Sequence, residues 1–166
     1  MRWIIGHFRR YLERRPWDFC WRISIEATVV SLTLCLLLNV FLTETDQESE
    51  WPIAGVIVYA LVLAPPLETL LFQAIPISIV RFCKGSMCTQ VLVSTALFAA
   101  SHFLKGIGSG LAAGVIGGFY LAFAYARWRM ISKRKAFWIT TACHLANNTT
   151  MVILALIVRN LRVGVT

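Results

Sequence analysis

The sequence is short of acid. Eight Asp and Glu residues stand against sixteen Lys and Arg, and after Glu50 the only carboxylate is Glu68. The familiar catalytic signatures are missing too. There is no HExxH, so the common zinc-protease helix is excluded, and neither GxSxG nor a phosphate-binding glycine loop occurs. The five cysteines form no CxxC pair. Cys35 and Cys143 lie in apolar runs and read as small hydrophobes. Cys83 and Cys88 flank a short turn, where a cytoplasmic location would disfavour a disulfide. No cleavable signal sequence is evident, because the first apolar run is long and lacks a small-residue cleavage site.

What is abundant is apolar surface. Of the 166 residues 58% are hydrophobic and only 14% charged, with a mean hydropathy of +0.69. Soluble domains run at about 45–50% apolar, so a soluble chain of this size could not bury what this one carries. Lipid is the solvent that fits. A spanning helix needs roughly 20 mostly apolar residues, and the sequence offers several: 23–42, 52–80, 88–104, 107–126 and 136–158. The net charge of +8 sits at the ends of these runs. Six arginines lie in the first 22 residues, five bases lie between Arg127 and Lys135, and four acids lie in the loop Thr43–Glu50. This is the positive-inside pattern, with basic clusters meeting anionic headgroups on the cytoplasmic side. Nucleic-acid binding would not explain the apolar segments between the clusters, and no nucleic-acid partner is expected.

The reading is an all-α, polytopic transmembrane helix bundle of about five spanning helices with the N-terminus inside. Residues 1–22, with Trp3, Phe8, Tyr11, Trp17 and Trp21 among arginines, predict an interfacial helix. Residues 23–166 form one transmembrane domain. The stretch 52–80 is long enough for two short crossings. One bent crossing fits the charges better, because it puts Arg81, Lys84 and the 127–135 cluster on the N-terminal side. Pro65 and Pro66 would bend it. Gly106, Gly110, Gly114 and Gly118 repeat at four-residue steps, a small-residue stripe that lets another helix approach closely.

Ionisable groups at bilayer depth cost about 2.5–3.5 kcal/mol on insertion scales and usually face a cavity or a partner. Glu26, near Arg22, is expected at the interface, and His7 belongs to the basic N-terminus. That leaves Glu68, His102 and His144 on three different segments. Asn148 is one turn after His144, and Asn147 is its neighbour, rotated about 100° from it. Singly, each has a structural explanation: a protonated acid, an interfacial histidine, hydrogen bonds between helices. Together, one carboxylate, two imidazoles and an amide amount to most of a hydrolytic site. The carboxylate can take a proton from water; an imidazole can orient that water; the other imidazole and the amide can donate to an oxyanion. Glu68, His102 and His144 could also offer a carboxylate and two imidazoles to a divalent metal such as zinc, although their spacing does not require one. A small proton-linked transporter using these groups as a relay is another reading, without an evident inverted repeat to support it.

Three motifs carry a resemblance. "ETLLFQ" (Glu68–Gln73) follows Ala-Pro, "FAASH" runs from Phe98 to His102, and "HLANN" from His144 to Asn148. In this order on apolar helices they resemble the EExxxR, FxxxH and HxxxN motifs of the CPBP family, the CAAX proteases and bacteriocin-processing (Abi) intramembrane endopeptidases. The resemblance covers residues 52–158. It implies that Glu68 and His102 activate the attacking water without a required cofactor, and that His144 and Asn148 stabilise the oxyanion. The substrate would be a membrane-anchored protein or peptide, with membrane lipids as the other partner, in a bacterial inner membrane. Two positions depart from the pattern: Thr69 stands for the second glutamate and Gln73 for the arginine. A neutral pair in place of a charged pair leaves no charge unmatched. The same departure raises the alternative of a catalytically inactive relative acting in bacteriocin immunity or as a membrane scaffold.

Overall fold

The computed structural model describes residue 11, residues 15–41 and residues 52–163. Five helices follow one another: α1 (Pro16–Phe41), α2 (residues 53–82), α3 (Met87–Phe103), α4 (Ile107–Arg129) and α5 (Lys133–Val163). No strand occurs among the described residues. Pro16–Leu38, Ala54–Phe82 and Ile107–Arg129 are each long and apolar enough to cross a membrane. The apolar α3 has 17 residues, about 25 Å at 1.5 Å per residue, against a hydrocarbon core of about 30 Å. The 31-residue α5 carries basic residues at its start.

α1 begins at Pro16, where a proline's missing N–H costs nothing, and runs unbroken through the position expected to separate the interfacial segment from the first span. The rest of that segment, and the acidic loop 43–50, lie outside the described residues. Glu26 lies one turn after Arg22 on α1, as expected. The phenol groups of Tyr11 and Tyr120 both donate to its carboxylate, while Arg22 lies over the Trp21 ring at 4.4 Å.

α2 is one continuous helix, and its prolines set its character. Ala64 donates its N–H to Tyr59 O, one residue beyond the α-helical acceptor, so residues 59–63 form a wide π turn. Pro65 has no N–H. The carbonyl of Ala60 therefore loses both its α-helical donor, which has turned to Tyr59, and its π donor. Asn148 of α5 donates to it from Nδ2 at 2.8 Å. The pattern repeats below. Residues 69–74 are again π-helical, Pro76 removes the α-helical donor of the Phe72 carbonyl, and Ser94 Oγ of α3 donates there at 2.6 Å. Backbone groups freed by proline inside a membrane need partners from neighbouring helices. Here those partners dock α2 onto α5 and α3.

α4 is the central helix. Tyr120 through Ala126 are all buried, packed with Phe19 and Ile23 of α1, Phe98 of α3 and Cys143 of α5. The glycine stripe faces α3. A β-carbon on Gly110 would strike the Phe103 ring, one on Gly114 would lie 2.8 Å from Ala99 Cα, and one on Gly118 would lie 2.8 Å from the Phe98 ring. Gly106, the expected first member of the stripe, lies just before the helix at φ 122°, a conformation that suits glycine. α1 closes the bundle along one face. Ser24 donates to Cys143 O, Thr28 to Asn147 Oδ1 and Ser31 to Ala112 O.

Candidate active site

The local sequence decides which side chains turn inward. On α5 the positions 144, 147, 148 and 151 share one helical face by their three- and four-residue spacing. All four line a cavity of about 270 Å³. His102 and Phe98 line it from α3, and Thr28 and Ser31 line it from α1. Glu68 reaches the same region from α2. Its Oε2 lies 3.5 Å from His144 Nε2, and the side chains are 14% and 6% exposed respectively. A carboxylate and an imidazole are thus paired inside an otherwise apolar bundle. The sequence after Glu50 holds no second acid that could compete for the histidine.

Phe98 organises the imidazoles. Its ring lies 4.3 Å from the His102 ring and meets the His144 ring edge-on at 5.9 Å. Its carbonyl lies 3.0 Å from His102 Nδ1. That contact makes Nδ1 the protonated nitrogen and leaves Nε2 as the one that can accept a proton or hold water. Ser101 Oγ also lies 3.2 Å from Nδ1. His144 Nδ1 is buried with no hydrogen-bond partner among the described residues.

The structure therefore brings together His102, His144 and Asn148 around one cavity, with Glu68 beside His144. Asn148 is partly committed elsewhere, since one of its two amide N–H groups holds the Ala60 carbonyl. Thr69 and Gln73 are fully buried on α2. Thr69 Oγ1 and both Gln73 amide atoms have no hydrogen-bond partner among the described residues, so neither hydrogen-bonds Glu68. The possible metal set Glu68, His102 and His144 is not drawn together as ligands: no group of three His, Cys, Asp or Glu able to hold a metal occurs among the described residues. Sequence reasoning passed over Asn147, Thr28 and Ser31. For Asn147 the signal was available: it is three residues from His144, which places it on the cavity face as surely as four residues places Asn148. Thr28 and Ser31 had no signal, because only the docking of α1 brings them there.

No curated protein and no solved structure matches the chain. Residues 49–150, more than half of it, match the type II CAAX prenyl endopeptidase Rce1-like family. That span contains α2, α3, α4 and the part of α5 that carries His144, Asn147 and Asn148, and α1 lies before it. The chain belongs to this family of membrane CAAX-type peptide hydrolases.

Proposed function

We propose that the protein is a glutamic-type intramembrane endopeptidase that cleaves a peptide bond close to a membrane anchor. The observation that carries this reading is the 3.5 Å approach of Glu68 to His144 at the edge of a cavity shared with His102 and Asn148. Glu68 takes a proton from water, and the resulting hydroxide attacks the scissile carbonyl carbon. His102 holds that water through Nε2. His144 and the free N–H of Asn148 donate to the developing oxyanion. The tetrahedral intermediate collapses as protonated Glu68 returns the proton to the leaving amine.

The orientation we propose puts the N-terminus, the Arg81/Lys84 turn and the 127–135 cluster in the cytoplasm of a bacterial cell. The test is cleavage of anchored peptides by the purified protein. Glu68→Gln is expected to lower kcat by about 10²–10⁴, the usual worth of a general base. Equal cleavage by wild type, Glu68→Gln and His144→Ala would refute the mechanism.

One observation favours a second reading. Thr69 and Gln73 occupy the family's acidic and basic positions with no side-chain hydrogen-bond partner among the described residues, as expected of a relative that keeps the fold for immunity or scaffolding and no longer cuts. In that case Glu68→Gln leaves the protective or binding phenotype intact, and its loss would count against this alternative.

A further inference from the structure

The cavity has a wall that the mechanism above does not use. α1 lies before the segment that matches the family, yet it lines the cavity with Thr28 and Ser31 and makes hydrogen bonds to both α4 and α5. Its effect on Asn147 is specific. Thr28 Oγ1 donates to Asn147 Oδ1 at 3.3 Å. With its oxygen so engaged, the Asn147 –NH₂ keeps two N–H donors and has no partner among the described residues. Asn147 lines the cavity between His144 and Asn148. The contrast with Asn148 is direct, because that residue already uses a donor on the Ala60 carbonyl.

We propose that Asn147 is a further catalytic residue of this chain, donating a hydrogen bond to the substrate's carbonyl oxygen as negative charge develops there. Thr28 is its positioning residue. The proposal rests on the endopeptidase reading. It adds a donor to those of "HLANN": Asn147 has both amide N–H groups for the substrate, and Asn148 keeps one after serving the Ala60 carbonyl. It also gives α1 a part in the chemistry, since the Thr28 hydroxyl is the hydrogen-bond partner that anchors the Asn147 amide against the cavity wall.

The experiment uses the full chain in lipid nanodiscs. The probe is a quenched fluorescent peptide ending in a farnesylated cysteine and three further residues, the CAAX end named by the family. Wild type is expected to cleave it and Glu68→Gln to be inactive. Asn147→Ala is expected to lower kcat about 10²–10³-fold, the loss seen when one oxyanion donor is removed, with KM and thermal midpoint little changed. Thr28→Val should lower kcat about 10-fold or more, and Thr28→Ser, which keeps the hydroxyl, should restore it. If wild type cleaves, Glu68→Gln does not, and Asn147→Ala retains wild-type kcat, the assignment of Asn147 is wrong and the endopeptidase reading stands. If wild type and Glu68→Gln cleave equally, or neither cleaves, both fall. Should Asn147→Ala fail to fold, the Thr28 pair decides: equal kcat for the Val and Ser variants overturns the proposal.

Discussion

Gly114→Ala tests whether the contact between α4 and α3 positions the site. The added β-carbon would lie 2.8 Å from Ala99 Cα and 3.0 Å from His102 Cβ. Ordinary carbon contacts begin at about 3.4 Å, so the helices must part by at least roughly 0.6 Å at Ala99. Ala99 Cα is main chain and cannot rotate away. The whole of α3 must give, and His102 rides on it. Overpacking of this kind costs about 1–3 kcal/mol. A shift of about 1 Å at a catalytic group can cost about 10²-fold in rate, so a loss of about 10-fold or more is expected here. Gly117→Ala is the control for stability: it is one turn along the same helix, and its β-carbon would point into the cavity and meet nothing within 4 Å. That change removes a residue about 1 kcal/mol poorer than alanine in a helix interior. Denaturation in mixed micelles should place Gly114→Ala below wild type and Gly117→Ala at or above it, and peptide cleavage should fall for the first. Equal stability and activity of the two variants would refute the packing argument.

Other outcomes follow from the docking of α2. Ser94→Ala leaves the Phe72 carbonyl without its cap and should destabilise the bundle by about 1 kcal/mol, read as a lower midpoint in the same denaturation. Asn148→Ala should do likewise through the Ala60 carbonyl. Because these carbonyls sit on separate turns and meet different helices, the double variant should show the sum of the two losses to within about 0.5 kcal/mol; a clearly smaller sum would mean that the two contacts are not independent. Cys83, at the end of α2, and Cys88, in the first turn of α3, are exposed, whereas Cys20 and Cys143 are buried. In a Cys35→Ser background, a membrane-impermeant maleimide should therefore label Cys83 and Cys88 only after the cells are opened, and their labelling in intact cells would reverse the proposed orientation.

Much of the bundle was legible because apolar length and charge placement are properties of the chain itself. The single helix 53–82 follows from where the arginines lie, and the close approach at Gly110, Gly114 and Gly118 follows from their period. Gly106 obeys the same period but ends in a turn, since a pattern of four does not say where a helix begins. Glu68, His102 and His144 stood out because each is ionisable in an apolar run. The partners of Glu26 did not: two phenols from Tyr11 and Tyr120 lie 15 and 94 residues away, and tyrosine in a membrane segment is too common to attract notice. The double use of Asn148 was equally invisible. It depends on which carbonyl Pro65 orphans and on which helix happens to face it.

The two prolines of α2 that free a carbonyl have a consequence for Glu68. A carboxylate on an ordinary helix inherits its position from its own hydrogen-bond ladder. Here the ladder is interrupted on both sides, and the height of Glu68 is fixed by two outside anchors, Asn148 above at Ala60 and Ser94 below at Phe72. The helix behaves as a beam resting on two supports that belong to other helices. Its alignment with His144 is then a shared property of α2, α3 and α5, and substitutions that never touch the carboxylate can retune it.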